Sequence, residues 1–384
     1  KSKIFSDTRV LSKEYRLVSE KKIIQYTPGF NINDVRKKYN VNRITKLSSN
    51  ENPFISDKVA RYITKYKHQI NLYPESKPHN LEDSIAQSLG SNISAKNIIL
   101  GNGSNEILEF ISRSLLDSSS EVIIPKHSFL VYEIISKLQK AKVITSKPDR
   151  NINTDNYLGI DLESVKQKIS KKTKLIFIAN PANPTGTYIK ISKIDEFIRS
   201  IPKNISIVID EAYYEYLNSS INPSAVTLLR KYNNLYVTRS FSKIFGLASL
   251  RIGYGVSNYK NIEKLTLYKQ PFNTNLFAQK CAEIAIKDKK FIKMSKTNNF
   301  NVVSQITNLF DKLSISYLGT YCNFITFNVG PNSKKLFDYM LKKSIVLRPL
   351  DNYKLPNYLR VSIGTQNDMK KFSKALVSFY HEET

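Results

Sequence analysis

Between Asn97 and Val256, short β-branched and aliphatic runs alternate with amphipathic stretches, the pattern of strands interleaved with helices. The runs predict strands at Ile98–Leu100, Glu121–Pro125, Lys142–Thr145, Lys174–Ala179, Ser206–Asp210, Leu235–Thr238 and Ile252–Val256. Leu175-Ile176-Phe177-Ile178 and Ile205–Ile209 are nearly continuously apolar, so helices cover both faces of that sheet and the unit is a three-layer α/β domain. Apolar spacing places helices over Asn105–Leu116, Phe129–Lys140 and Asp161–Ile169, the last capped by Asp161 with Leu162, Val165 and Ile169 on one face.

After about Tyr268 the order changes. Helices are expected over Gln279–Lys287, Phe300–Leu313, Leu336–Lys342 and Asp368–Tyr380, with strands at Phe324–Val329 and Tyr358–Ile363. This reads as a smaller α+β domain. The expected division is residues 1–50 as an N-terminal arm and part of the small domain, 51–268 as the large domain, and 269–384 as the small C-terminal domain.

The 384 residues suit two domains, since a single core stops growing at ~250 to 300 residues. No run approaches the ~18 apolar residues of a membrane helix and Lys1–Glu20 lacks a signal-peptide core, so a soluble cytoplasmic protein is expected. Cys281 and Cys322 are too few for a disulfide framework or a zinc site and read as small buried hydrophobes. The formal net charge of +27 raises nucleic acid as a partner, but the lysines are spread along the chain without a basic helix or RNA-binding aromatic motif. The expectation is no nucleic acid and no membrane; a general positive field favours anionic small substrates. A chain that starts at Lys1 leaves a processed start, a trimmed one and a module of a longer fusion open.

Glycine is scarce, 12 in all, and several fall within the segments that carry chemistry. Ser240-Phe241-Ser242-Lys243, with Arg251 following, ends a strand in two hydroxyls and an amine. Such an amine forms an imine with an aldehyde cofactor, while hydroxyls and guanidinium hold a phosphate monoester. Asp210 ends an apolar strand, where a carboxylate is costly unless it meets a cation such as a protonated pyridine nitrogen; Tyr213 follows three residues later. Asn180-Pro181-Ala182-Asn183-Pro184-Thr185-Gly186 sets two carboxamides on a turn, and Gly101-Asn102-Gly103-Ser104-Asn105 leads into a helix N-terminus that suits a phosphate. Ser104 or Asn105 reads as the cap of that helix. Near the C-terminus stand Arg348-Pro349-Leu350 and Arg360, the latter interrupting an apolar strand, where a guanidinium pairs with a carboxylate or phosphate. Each segment alone also reads as ordinary structure: a surface lysine, a capped helix, a rigid loop, a salt bridge.

In this order the segments resemble the fold-type I pyridoxal-phosphate (PLP) enzymes, and within them the histidinol-phosphate aminotransferase family. Further matches are Tyr26-Thr27-Pro28-Gly29, Leu47-Ser48-Ser49-Asn50-Glu51-Asn52-Pro53, Asn71-Leu72-Tyr73-Pro74-Glu75, Gln270-Pro271-Phe272-Asn273-Thr274-Asn275 and Leu355-Pro356-Asn357-Tyr358-Leu359-Arg360. The resemblance implies a mostly parallel seven-stranded sheet in a PLP-binding large domain. It implies Lys243 as the covalent anchor and proton carrier, Asp210 against the pyridinium, Tyr213 and Asn183 at the ring oxygen, and Phe129 on the ring face. The phosphate would meet Gly103, Ser104, Asn105, Ser240, Ser242 and Arg251, with Tyr73 reaching the neighbouring subunit's cofactor in a homodimer with shared active sites. Arg360 would take the glutamate carboxylate, with Arg348 and Tyr26 near the substrate's distal anionic end.

The implied activity is transfer of an amino group between glutamate and a phosphorylated keto compound, with imidazole-acetol phosphate giving histidinol phosphate, a step of histidine biosynthesis. Relatives of the same fold act on aromatic amino acids, phosphonates or phosphothreonine, as transaminases or decarboxylases. The sequence departs from the family at Phe54, Ser249 and Lys269, where Tyr, Gly and Arg are usual. Because lysine lacks arginine's planar fork, Lys269 bears on the substrate more than on the cofactor.

Overall fold

A computed structural model describes residues 32–39, 43–90 and 92–383. Its strands in chain order are β1 Thr45–Lys46, β2 Ile98–Gly101, β3 Glu121–Pro125, β4 Lys142–Ser146, β5 Thr173–Ala179, β6 Ser206–Asp210, β7 Leu235–Ser240, β8 Gly253–Val256, β9 Phe324–Asn328, β10 Ile345–Val346, β11 Arg348–Pro349 and β12 Tyr358–Ser362. The apolar runs set the centre of the large sheet: β5 and β6 are buried along almost their whole length, and each fully buried Ile or Leu contributes about 1.5–3 kcal/mol.

The sheet has seven strands in the order β2-β8-β7-β6-β5-β3-β4. All neighbours are parallel except β8, which runs antiparallel to both β2 and β7. Two apolar layers sandwich it. One contains Ile176, Ile178, Ile207 and Ile209, the other Leu175, Phe177 and Val208, the alternation that a strand buried on both faces requires. Asp161 caps Leu162–Gln167 by accepting from the N–H groups of Glu163 and Ser164.

The smaller unit is a three-stranded antiparallel sheet, β11-β12-β9, with the helices Ser333–Lys342 and Gln366–Glu383 over one core. β1 pairs in parallel with β10, and Leu47 lies in that core, so the chain around residue 45 packs with the C-terminal part. The packing draws the division between the units later than residue 268. Ala278, Cys281, Ala282, Ala285 and Ile286 on Leu276–Lys287 belong to the large core, whereas Val302, Ile306 and Phe310 on Lys289–Lys312 belong to the small one. The second of these helices crosses from one unit to the other, since Ile292 near its start packs against the large core. Among the described residues no helix is long and apolar enough to cross a membrane, and both cysteines are buried and free.

Candidate active site

The parallel strands β5, β6 and β7 end together, at Ala179, Asp210 and Ser240, on the carboxyl edge where α/β sheets place ligands. Arg348 and Arg360, neighbours across the antiparallel β11/β12 pair, come from the small unit to the same place. Together they line a cleft of about 260 Å³ between the units. A larger cavity of about 660 Å³ lies around Glu215, Arg239 and Lys296 and contains none of the residues singled out from the sequence. The converging chemistry is in the smaller one.

Lys243 projects into the cleft from the turn after β7. Its Nζ lies 3.3 Å from the Ser49 carbonyl and 3.2 Å from the Asn50 carbonyl, and 5.5 Å from the centre of the Tyr213 ring. Burial, and then the charge of Arg360, lower its pKa to about 8, so the neutral, nucleophilic amine is accessible near neutral pH. Covalent capture of an aldehyde needs that neutral form. The rate at which apoprotein takes up pyridoxal phosphate is expected to rise with pH and level off a little above 8, instead of following an ordinary lysine towards 10.5. A stopped-flow record of cofactor absorbance between pH 6.5 and 10 checks this; a rate still climbing tenfold per unit at pH 9.5 would contradict it.

Asp210 is 6 % exposed and meets neutral donors only: Tyr132 Oη at 2.6 Å, Thr238 Oγ1 at 3.0 Å and the Ala212 N–H at 3.2 Å. Burial raises its carboxyl pKa, opposed by those hydrogen bonds. Tyr213 is held by the Asn50 carboxamide, whose Nδ2 donates to the phenol oxygen over 2.9 Å, and burial pushes the phenol pKa up.

The helix Ser104–Leu115 opens beside these groups. Its N-cap is Gly103 at φ 82, with no side-chain cap, in place of the Ser104 or Asn105 cap expected from the sequence. Its first N–H groups therefore remain available to an anion. A β-carbon on Gly103 would lie 2.6 Å from Arg251 Nη2, and one on Gly253 2.4 Å from the Ser104 nitrogen, so the close approach of backbone and guanidinium needs both glycines. Ser240 Oγ accepts from the Ser242 N–H at 3.0 Å, and Arg251 Nη1 lies 3.4 Å from Ser242 Oγ. Ser104, Asn105, Ser240, Ser242 and Arg251 all line the cleft.

Arg360 is 5 % exposed, donates to Asn183 Oδ1 and to the Ser48 carbonyl, and keeps a buried Nε with no hydrogen-bond partner among the described residues. A buried guanidinium with an unused donor asks for an anion. Phe129 lines the cleft edge-on to Tyr132, with ring centres 5.8 Å apart. Other candidates are placed elsewhere. Tyr73 is 82 % exposed on the outer surface against Phe272. Asn180 spends its carboxamide on both backbone groups of Ile189, so only Asn183 of the two asparagines faces a ligand. Lys269 does not line the cleft; it is partly buried beside Glu82 and Glu106. Tyr26 lies outside the described residues.

Two contributors had no signal in the sequence. Tyr132 sits in an apolar helical run, yet its hydroxyl holds Asp210 while its ring stacks on Phe177 at 4.7 Å. Arg239, on β7 between Thr238 and Ser240, is buried against Glu211 at 2.8 Å and Glu215 at 3.2 Å, fixing the strand end from the side away from the cleft. The geometry fits pyridoxal phosphate: a buried amine with a lowered pKa, a buried carboxylate lacking a cation, and a helix N-terminus with a guanidinium and two hydroxyls spaced for a phosphate.

The comparisons agree. The model of the class I and II aminotransferase family matches residues 42–376. Histidinol-phosphate aminotransferase 1 of Idiomarina loihiensis is 35 % identical over 93 % of this chain and 95 % of its own length. Among solved structures, the histidinol-phosphate aminotransferase of Clostridium acetobutylicum superposes with a TM-score of 0.78 at 28 % identity, over 88 % of this chain and 99 % of that one. That of Sinorhizobium meliloti, determined in complex with pyridoxal-5'-phosphate, superposes with a TM-score of 0.83 at 21 % identity, over 94 % and 97 %. The chain belongs to the class I and II aminotransferases and, within them, to the histidinol-phosphate aminotransferase family.

Proposed function

We propose that this chain is a pyridoxal-phosphate aminotransferase that moves the amino group of glutamate to imidazole-acetol phosphate, releasing histidinol phosphate and 2-oxoglutarate. The observation that carries the reading is the single cleft in which Lys243, Asp210 and the Gly103–Ser104 cradle face two buried arginines, Arg348 and Arg360. When bound, the cofactor supplies an aldehyde and a protonated ring that draws electrons from the substrate's Cα. Lys243 would hold it covalently, then carry the proton at Cα on its own Nζ; a pKa near neutrality suits both tasks. Asp210 would keep the ring nitrogen protonated, Tyr213 and Asn183 would donate to the ring oxygen, and Phe129 would cover one ring face. Ser104, Asn105, Ser240, Ser242 and Arg251, with the Gly103 backbone, would bind the cofactor phosphate.

Arg360 and Arg348 would take the anionic ends of the substrates, Arg360 with its unpartnered Nε. A homodimer completes the reading. Ile70, Leu72, Tyr73, Leu267 and Phe272 leave large apolar side chains exposed, and a second copy would cover them while Tyr73 reaches its partner's cofactor phosphate.

The test runs the two half-reactions separately. Glutamate should convert the PLP-loaded enzyme to its amine form, seen as a change in cofactor absorbance. A panel of keto acids and keto phosphates should then restore the original spectrum, imidazole-acetol phosphate fastest. No spectral change with glutamate would exclude the donor, and faster return with an aromatic keto acid would exclude the acceptor.

A further inference from the structure

A second basic pocket, of about 360 Å³, lies beside the catalytic cleft and serves none of the roles above. Lys126 reaches it from the end of β3, Arg150 from the loop after β4, and Lys354 from the loop before β12. His127 lies among them, nearly buried. Burial pushes its imidazole towards the neutral form, the hydrogen bond to the Tyr353 carbonyl opposes this, and the charges of Lys126, Lys354 and Arg150 add to the lowering, so all three cations act on one ring. Among the described residues no carboxylate lines the pocket. Three like charges gathered without a counter-charge repel one another, and an arriving anion relieves that repulsion.

The backbone adds an independent observation. Lys354 holds a left-handed conformation, φ 62, which glycine adopts freely and a residue with a β-carbon adopts at a cost. From that turn Lys354 lines the pocket. Tyr157, Tyr358 and Asn357 also line the cavity and bring neutral donors, while Leu158 and Leu355 give it an apolar floor. Several donors around one centre match a compact anion with many lone pairs, and three cations match two negative charges better than one. The apolar side leaves room for an organic remainder.

We infer that this pocket is a second phosphate-binding site, separate from the Gly103–Ser104 cradle, that takes a phosphate monoester or free phosphate. It is joined to the cleft through one residue. His127 Nδ1 lies 2.8 Å from the Tyr353 carbonyl, and Tyr353 also lines the cleft, so a phosphate bound here lies one residue away from the cleft. The site stands whatever keto compound accepts the amino group.

The chain's 4 histidines make the test local. The PLP-loaded enzyme, labelled with carbon-13 at histidine, is titrated at constant ionic strength with inorganic phosphate or glycerol 3-phosphate, and the resonance absent from His127→Gln is followed. It should move saturably with phosphate but not with chloride. In the triple variant Lys126→Ser, Arg150→Ser, Lys354→Gly, affinity should drop at least about tenfold, because three charge-assisted contacts are lost. The glycine suits the turn at position 354, and a wild-type glutamate half-reaction shows that the variant is folded. Tighter binding of the ester identifies an organic phosphate as the ligand, and tighter binding of the inorganic ion identifies free phosphate. A shift that never saturates, that chloride reproduces, or that survives in the triple variant overturns the site. Failure of the glutamate half-reaction in the wild type would sink the proposed function and leave the phosphate result standing.

Discussion

Replacing Lys243 with alanine should lower the rate of the glutamate half-reaction by more than about 10³-fold, since positioned proton transfer alone contributes about 10² to 10⁴ and covalent anchoring is lost as well. The structure argues that the loss is chemical and not architectural. The amine is buried, contacts two carbonyls at 3.2 and 3.3 Å, and forms no salt bridge among the described residues, so its removal deletes a desolvated charge and leaves the cradle at Gly103, Ser242 and Arg251 intact. The variant should fold, melt no lower than the wild-type apoprotein, and still take up pyridoxal phosphate, now released by dialysis. Single-turnover absorbance with glutamate, beside a thermal melt, checks both halves. A variant within tenfold of wild-type turnover would remove Lys243 from the chemistry.

How much of this was visible beforehand follows from where each residue spends its side chain. All seven strands of the large sheet show in the sequence, the central ones because burial on both faces leaves runs such as Ile207-Val208-Ile209 unbroken by polar residues. The antiparallel placement of β8 between β2 and β7 does not show, since a four-residue strand carries no record of its direction. Helices were harder. The long helix Lys289–Lys312 reads from the sequence as starting only at Phe300, because its first half buries Ser295 and Asn299 where apolar residues would mark a face. Asn299 donates its Nδ2 to the Cys322 carbonyl and Ser295 Oγ accepts from Asn52, partners far along the chain that no local pattern reveals.

The same rule governs the site. Lys243, Asp210, Asn183 and Gly103 stood out because each breaks an apolar or glycine-poor context at a strand end, where polar groups need a reason. Tyr132 did not, since a tyrosine in Val131-Tyr132-Glu133-Ile134-Ile135 is an ordinary core residue until its hydroxyl is seen 2.6 Å from Asp210. Tyr213 was legible as a site residue, but the Asn50 that holds it lies 163 positions away. Contacts made only by folding are the part that sequence periodicity does not encode.

Asp210 gives the second large effect, and the more discriminating one, because Asn preserves its shape. Asp210→Asn keeps one carbonyl oxygen at the end of β6, where Asp210 offers Oδ2 to Tyr132 and Oδ1 to Thr238, so one of those hydroxyls must turn to accept from the new Nδ2, and the amide cannot hold a proton on the cofactor's ring nitrogen. Losing one partner of a buried charge pair costs about 3–5 kcal/mol, which predicts a rate about 10² to 10⁴ lower with the cofactor still bound. Stability should change in the opposite sense before the cofactor arrives. Asp210 in the apoprotein is a buried carboxylate among neutral donors, and burial already disfavours its charge. The apo variant should therefore melt at or above the wild-type apoprotein, whereas the PLP-loaded variant should melt below the PLP-loaded wild type, since only Asp210 gains a cation on binding. Thermal midpoints of the four forms, read beside the glutamate half-reaction, decide it. A variant that gains as much from the cofactor as the wild type, or that turns over within threefold of it, would show that no positive charge on the ring faces position 210.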